Sequence, residues 1–226
     1  MIGVTRPGKR WVAIVLLSVV VLAGWSFTAT PQAAPRAAQW YDRQLKGLQQ
    51  QLSAFQKAAR AGAGTDSLRK HFFASRMVYK RTELFTDLFT PPIARQLNGP
   101  DLLKIEDENP SDSLKPHGFQ VLERILYSTP MSRAALVAEL HYMGTTVQRL
   151  QNDPDRQYYF TDGRVWMAMR LALFRVVSLG ITGFDVPMSY HALPETREVL
   201  RTLQELSGYY SYVLPDSSRR QGVVLF

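Results

Sequence analysis

Apolar residues recur at helical spacing along most of the chain. Over residues 37–62, Trp40, Leu45, Leu48, Leu52 and Phe55 stand three to five positions apart among Gln, Lys and Arg, which predicts an amphipathic helix. Gly62-Ala63-Gly64 closes it. Thr65-Asp66 then offers an N-cap for a second helix that runs to Phe89 and stops at Pro91-Pro92. One face of the second helix carries Phe72, Arg76, Tyr79, Lys80, Glu83 and Asp87. Another carries Met77, Leu84 and Leu88, with Val78, Phe85 and Phe89 alongside. A helix with charge and aromatic side chains so mixed is expected to touch neighbours on more than one side.

A short helical turn is predicted over residues 92–97. Residues 98–116 then show no period. They hold Pro100, Pro110 and Pro116 and the acids Glu106, Asp107, Glu108 and Asp112, and read as a long surface loop over the bundle. Pro116 and Gly118 punctuate the start of the next helix, 119–128, where Phe119, Glu123 and Leu126 share a face and Gln120 sits one turn before Glu123. A carboxylate between Phe and Leu on an inward face has to be paired, metal-bound or protonated. Ser132 caps a helix to Asn152 with Leu136, Leu140, Met143, Val147 and Leu150 at helical spacing. Thr161-Asp162 opens another, to about Gly183, that is apolar nearly all round from Val165 to Ile181. Such a helix is predicted to be central. Its Arg170 and Arg175 then need acceptors, for which Glu83, Asp87, Glu123 and Asp185 are the candidates. A last helix starts at Pro194, with Val199, Leu200, Leu203 and Leu206 inward, and ends in Tyr209, Tyr210 and Tyr212. No strand period stands out. The expected fold is all-α, an up-and-down helical bundle of five to six helices.

Residues 1–36 break this pattern. Arg6, Lys9 and Arg10 precede an apolar run over 11–24, followed by an Ala-, Pro- and Thr-rich stretch. That is the order of a signal peptide, either cleaved after Ala33 or Ala34 or retained as an inner-membrane anchor. Both outcomes export the body, to the periplasm in a Gram-negative cell. The expected organisation is leader and linker over 1–36, one helical domain over 37–215 and a tail over 216–226. The net charge is +8, and the three basic residues before the apolar run leave +5 on the rest. The Lys and Arg are scattered rather than aligned on one stripe, so nucleic acid is not an expected partner. With no cysteine, disulfides, thiolate metal sites, a Cys nucleophile and covalently attached c-type haem are excluded for this chain.

Four segments carry a family resemblance. Arg76-Met77-Val78-Tyr79-Lys80-Arg81-Thr82-Glu83, Leu97-Asn98-Gly99-Pro100, Gly118-Phe119-Gln120-Val121-Leu122-Glu123 and residues 180–187 (Gly-Ile-Thr-Gly-Phe-Asp-Val-Pro) match in order and spacing. Together they resemble the imelysin-like helical domain over roughly residues 40–212. More narrowly, they resemble the version found in front of di-haem cytochrome c peroxidase domains. The resemblance implies an exported helical bundle linked to iron handling and classed with peptidases. Its hallmark is Gly-x-His-x-x-Glu, in which His and Glu share a metal. Here Gly118 and Glu123 are present but Gln120 replaces the His, and an amide oxygen is a poor substitute for imidazole toward a transition metal. The haem domains, with their Cys-x-x-Cys-His sites, are absent from the sequence.

Two sets of candidate residues follow. Lys80, Glu83, Gln120, Glu123, Arg170, Arg175 and Asp185 are expected to form a polar cluster between helices, read chiefly as an ion-paired core that fixes helix register. Glu123, Glu83, Asp87 and His117 are the candidate ligands if the chain binds a divalent iron or copper ion. No other cofactor is expected. His71, His117, His141 and His191 show no metal-motif spacing, and no Ser or His lies in a nucleophile-elbow or triad context. The expected role is a non-catalytic accessory module for a periplasmic c-type haem peroxidase or related electron-transfer protein. A metal-handling protein is the alternative, and a peptidase the last.

Overall fold

A computed structural model of the chain describes residues 33–102, 104–106 and 109–211, with only the backbone described for 104–106 and 109–114. The expected leader, Tyr212, the tail and the acids at 106, 107, 108 and 112 therefore lie wholly or in their side chains outside the described residues. The described residues from Ala33 to Ser211 belong to one compact unit. No helix among the described residues is long and apolar enough to cross a membrane.

Seven α-helices are described: α1 (Ala33–Arg60), α2 (Thr65–Phe89), α3 (Pro91–Asn98), α4 (Phe119–Tyr127), α5 (Arg133–Gln151), α6 (Asp162–Arg175) and α7 (Ala192–Gly208). A 3₁₀ turn (Arg156–Tyr159) precedes α6, and a π-helical turn (Val176–Gly180) follows it. The architecture is all-α apart from one addition. The expected loop at 98–116 contains a two-stranded antiparallel hairpin, β1 (Lys104–Glu106) with β2 (Asn109–Leu114). Its register shifts between Ile105 and Glu106, and β1 is three residues long while β2 is almost wholly polar and holds Pro110, so no apolar alternation marks the hairpin in the sequence.

Buried residues on α1 fall at Tyr41, Leu45, Leu48, Leu52, Phe55 and Ala59, alternating steps of four and three. That seam packs against α2 and α5. The α1–α2 turn is a Schellman motif: Ala63 N–H donates to Ala58 O and Gly62 N–H to Ala59 O, with Gly62 at φ +81°. Thr65 and Asp66 lie inside α2, not at its cap. Gly64 takes the cap position, and the Asp66 carboxylate complements the helix dipole from the first turn. The other caps fall where expected, with Ser132 Oγ accepting from Ala135 N and Thr161 Oγ1 from Arg164 N. Pro194 stands in the first turn of α7, where its missing N–H removes no helical bond.

α2 is the hub, packing on α1, α3, α4, α6 and α7. An aromatic cluster of Trp40, Tyr41, Phe85, Phe89 and Phe160 fixes one end of it, and Tyr41 Oη meets Thr86 Oγ1 at 2.8 Å. The other expectation for α6 is overturned. It is not central, and it covers α2 and α1 from one side only. Val165, Ala168, Met169 and Ala172 face inward, while Trp166, Met167, Leu171, Leu173 and Phe174 are exposed. An all-round apolar sequence cannot distinguish burial on every side from burial on one.

Candidate functional site

Arg76, Lys80 and Glu83 on α2 meet charge from three other segments: α6, the stretch after its π turn, and α7. Arg76 is 0% exposed. Its Nε and one terminal nitrogen donate to the two oxygens of Glu195 at 2.6 and 2.5 Å, and its other nitrogen donates to Asn98 Oδ1 at 2.8 Å. Asn98 passes the chain on by donating to Glu83 Oε1 at 3.2 Å. One turn along α2, Lys80 Nζ donates to both oxygens of Glu83 (3.0 and 2.9 Å) and to Asp185 Oδ2 (2.8 Å). Arg175, at the last turn of α6, stands 3.2 Å from Asp185, 3.3 Å from Glu83 and 3.5 Å from Asp87. Bidentate and shared geometry of this kind is what makes buried charge tolerable.

The electrostatics follow from this packing. Burial works against the Lys80 ammonium, but Glu83, Asp185 and Glu195 outweigh it and hold its pKa above the ordinary value. Burial likewise opposes ionised Asp185, yet Lys80 and Arg175 keep it below the usual carboxylate range. Asp87 goes the other way. Partial burial, reinforced by the charge of Glu83, pushes it up to about 7. Tyr79 is wholly buried, its hydroxyl has no hydrogen-bond partner, and burial with the charges of Glu83 and Asp87 raises its pKa well above normal.

A cavity of about 250 Å³ opens beside this network. Lys80, Glu83, Asp87, Arg175, Asp185 and Glu195 form its polar side, and Leu84, Leu171, Val176, Val186 and Val199 its apolar side. The π turn contributes Val176 and Gly180. A Cβ on Gly180 would come within 3.3 Å of Thr196 Oγ1, whose hydroxyl is buried and unpartnered. Asp87, Arg175 and Asp185 also line a second, more open space next to Gly99 and Phe184.

The expected polar cluster is therefore assembled in part. Lys80, Glu83, Arg175 and Asp185 meet, with Asp87 at their edge. Arg170 does not join them, because it projects from the exposed side of α6. Gln120 and Glu123 lie elsewhere as well. Gln120 Oε1 accepts from Asp101 N at 3.3 Å, and Glu123, 1% exposed, accepts from Ser189 N at 2.8 Å. Nearby, Gln120 Nε2, Ser189 Oγ and His191 Nδ1 are buried and unpartnered, and Glu123 contributes to the field at His191. The four candidate metal ligands do not converge. Glu83 and Asp87 share Arg175, while His117 stacks on Tyr142 and sits 3.0 Å from Glu139. Among the described residues no group of three or more His, Asp and Glu is arranged to hold a metal ion.

Sequence reasoning missed Glu195, Asn98 and Glu139. Glu139 accepts from Gly118 N at 2.6 Å and so secures the start of α4. Gly118 itself has φ +103°, and a Cβ there would lie 2.3 Å from Leu97 O. Glu195, in the first turn of α7, had a usable signal: an acid at a helix N-terminus beside an apolar stripe.

The outer side of the same region is apolar. Phe174 is 69% exposed, Val177 72%, Leu193 71% and Tyr190 85%, with Ile181, Phe184 and Met188 also exposed. Arg170 stands amid Trp166, Met167, Leu173 and Phe174, its neighbours one turn away on α6. Tyr190 also adopts φ +58°, the left-handed region that costs a non-glycine residue about 1 kcal/mol. No protein-family model matches the chain, and no curated protein matches it.

Proposed function

We propose that the protein is a non-catalytic docking module of imelysin-like type whose partner covers the outward side of α6, the π turn and the segment that leads into α7. The observation that carries this reading is the exposed apolar face from Trp166 to Leu193. Contiguous surfaces of this kind mark interaction sites. Tyr190 strengthens it, since a large aromatic held in a strained conformation and almost fully exposed contributes little to folding. Arg170 in the middle of the face favours a protein partner that sets a carboxylate among apolar side chains. It disfavours a symmetric pairing of α6 with a second copy, which would bring two guanidinium groups together.

The resemblance supplies the partner class, a periplasmic c-type haem peroxidase or related electron-transfer protein, and the leader, cleaved or kept as an inner-membrane anchor, exports the body. A photocrosslinker at Phe174 of the full-length chain, activated in intact cells, should join it to a protein that retains covalent haem. Crosslinks that carry no haem, or that persist unchanged when the probe is moved to the α1–α5 side, would reject the partner class.

The second reading is a metal-handling protein, and one observation favours it. Glu123 is buried against a single backbone amide among the described residues, with unpartnered groups on Gln120, Ser189 and His191 close by. His191 then replaces His117 as the imidazole to test. Calorimetric titration with ferrous, cupric and zinc ions should show one-to-one binding that Glu123→Gln and His191→Ala each abolish. Binding that survives both variants removes this reading.

A further inference from the structure

Four carboxylates around the α2–α6–α7 cavity, Glu83, Asp87, Asp185 and Glu195, face three cations, Arg76, Lys80 and Arg175. The pairing is uneven. Glu195 is taken by Arg76, Asp185 and Glu83 by Lys80, and Arg175 is spread over three acids at 3.2–3.5 Å. Asp87 is the acid left with the weakest partner. The Thr196 hydroxyl in the cavity wall also lacks a partner. The opposite wall is hydrocarbon, from Leu84, Leu171, Val176 and Val199.

We propose that this cavity binds a small protonated amine, its ammonium group at Asp87 and Thr196 Oγ1 and its alkyl or aryl body against Leu171, Val176 and Val199. The chemistry of the walls selects this class. A carboxylate left with only the longest of Arg175's contacts asks for one more positive charge, an unpartnered hydroxyl in the same cavity wall accepts an N–H, and the apolar side excludes a bare hydrated metal ion. The volume, about 250 Å³, is just under the range of about 300–1,000 Å³ usual for ligand pockets, which restricts the ligand to a few carbon atoms or one ring. In the absence of an amine, a proton serves the same purpose, which agrees with the elevated Asp87. The proposal concerns the cavity, which shares Leu171 with the exposed face of α6, and its assay contains no docking partner.

The test uses the full-length chain with benzylamine and n-butylamine, and with benzyl alcohol as the neutral control, followed by ligand-observed NMR and calorimetry. Both amines should bind one-to-one and benzyl alcohol at least tenfold more weakly. Asp87→Asn should weaken amine binding at least tenfold without loss of helical circular dichroism. Leu171→Trp, which fills the cavity from an exposed position, should block it. At pH 6 each bound amine should displace up to one proton from Asp87, read as a dependence of the binding heat on buffer ionisation enthalpy, and at pH 8 none. Equal binding of benzyl alcohol, no binding of either amine, or an unchanged affinity in Asp87→Asn would each overturn the proposal.

Discussion

α2 and α6 lie against each other and invert each other's composition. α2 carries Arg76, Lys80 and Glu83 and buries all three. α6 reads as almost continuous hydrocarbon and exposes Trp166, Met167, Leu171, Leu173 and Phe174. The difference lies in the neighbours. α2 packs on five other helices, so its charges meet Asn98, Asp185 and Glu195 delivered from elsewhere. α6 packs on one side only, and nothing in the described chain covers the other. Composition states what a helix can tolerate; its partners determine what it buries.

If α2's charges are structural, removing one partner should produce the largest effect. Glu195→Ala leaves Arg76 buried and unpaired, and should cost about 3–5 kcal/mol in urea unfolding. Replacing both, as Arg76→Met with Glu195→Leu, should restore much of that loss. An intact transition midpoint in Glu195→Ala would show that the network is not holding α7 on α2.

The same contrast separates two phenylalanines. Phe55, fully buried in the α1 seam, should cost about 3–5 kcal/mol on truncation to Ala. Phe174, largely exposed on α6, should change stability by no more than about 0.5 kcal/mol. Comparable losses at the two sites would mean that α6 is covered in the folded monomer.

Asp87 gives a smaller effect that depends on pH. Its folded pKa, about 7, lies above its ordinary 3.8. The native state therefore holds a proton that the unfolded chain has released, and this group's contribution to stability declines as pH rises from 3.8 through 7. Asp87→Asn should accordingly stabilise the protein most above pH 7, with the gain shrinking as pH approaches 4. Asp185, held below the usual range, has the opposite sign, and its contribution is lost as pH falls through its folded pKa. A pH-independent gain in Asp87→Asn would contradict the assignment. A similarly small effect should come from Tyr190→Gly, which relieves a positive φ and should raise stability by about 0.5 kcal/mol while weakening docking.

The helices were legible because their signals are local: spacing in α1, Ser132 and Thr161 as caps, Pro91 as a stop. Lys80, Glu83, Arg175 and Asp185 were legible as a cluster because buried charge on an apolar helix face requires a partner of opposite sign. The pairing itself was not. Arg76 and Glu195 are 119 positions apart, and nothing in either segment names the other. Glu123 was correctly placed inside and wrongly assigned to that cluster, because its partner is a backbone amide that has no sequence signature. The strands at 104–106 and 109–114 carry no signal because they are short and mostly polar, with Pro110 in the second. α6 differs from its expected central place because an apolar face left exposed reads in sequence like one buried in a core.

The central claim is that the outward face of α6 is a docking surface, and the direct measurement is the paired variant Phe174→Glu with Val177→Glu. It should leave the thermal midpoint within about 2 °C of the parent and abolish in-cell crosslinking of the face to a haem protein. Unfolding of the variant, or crosslinking that continues undiminished, would contradict the account.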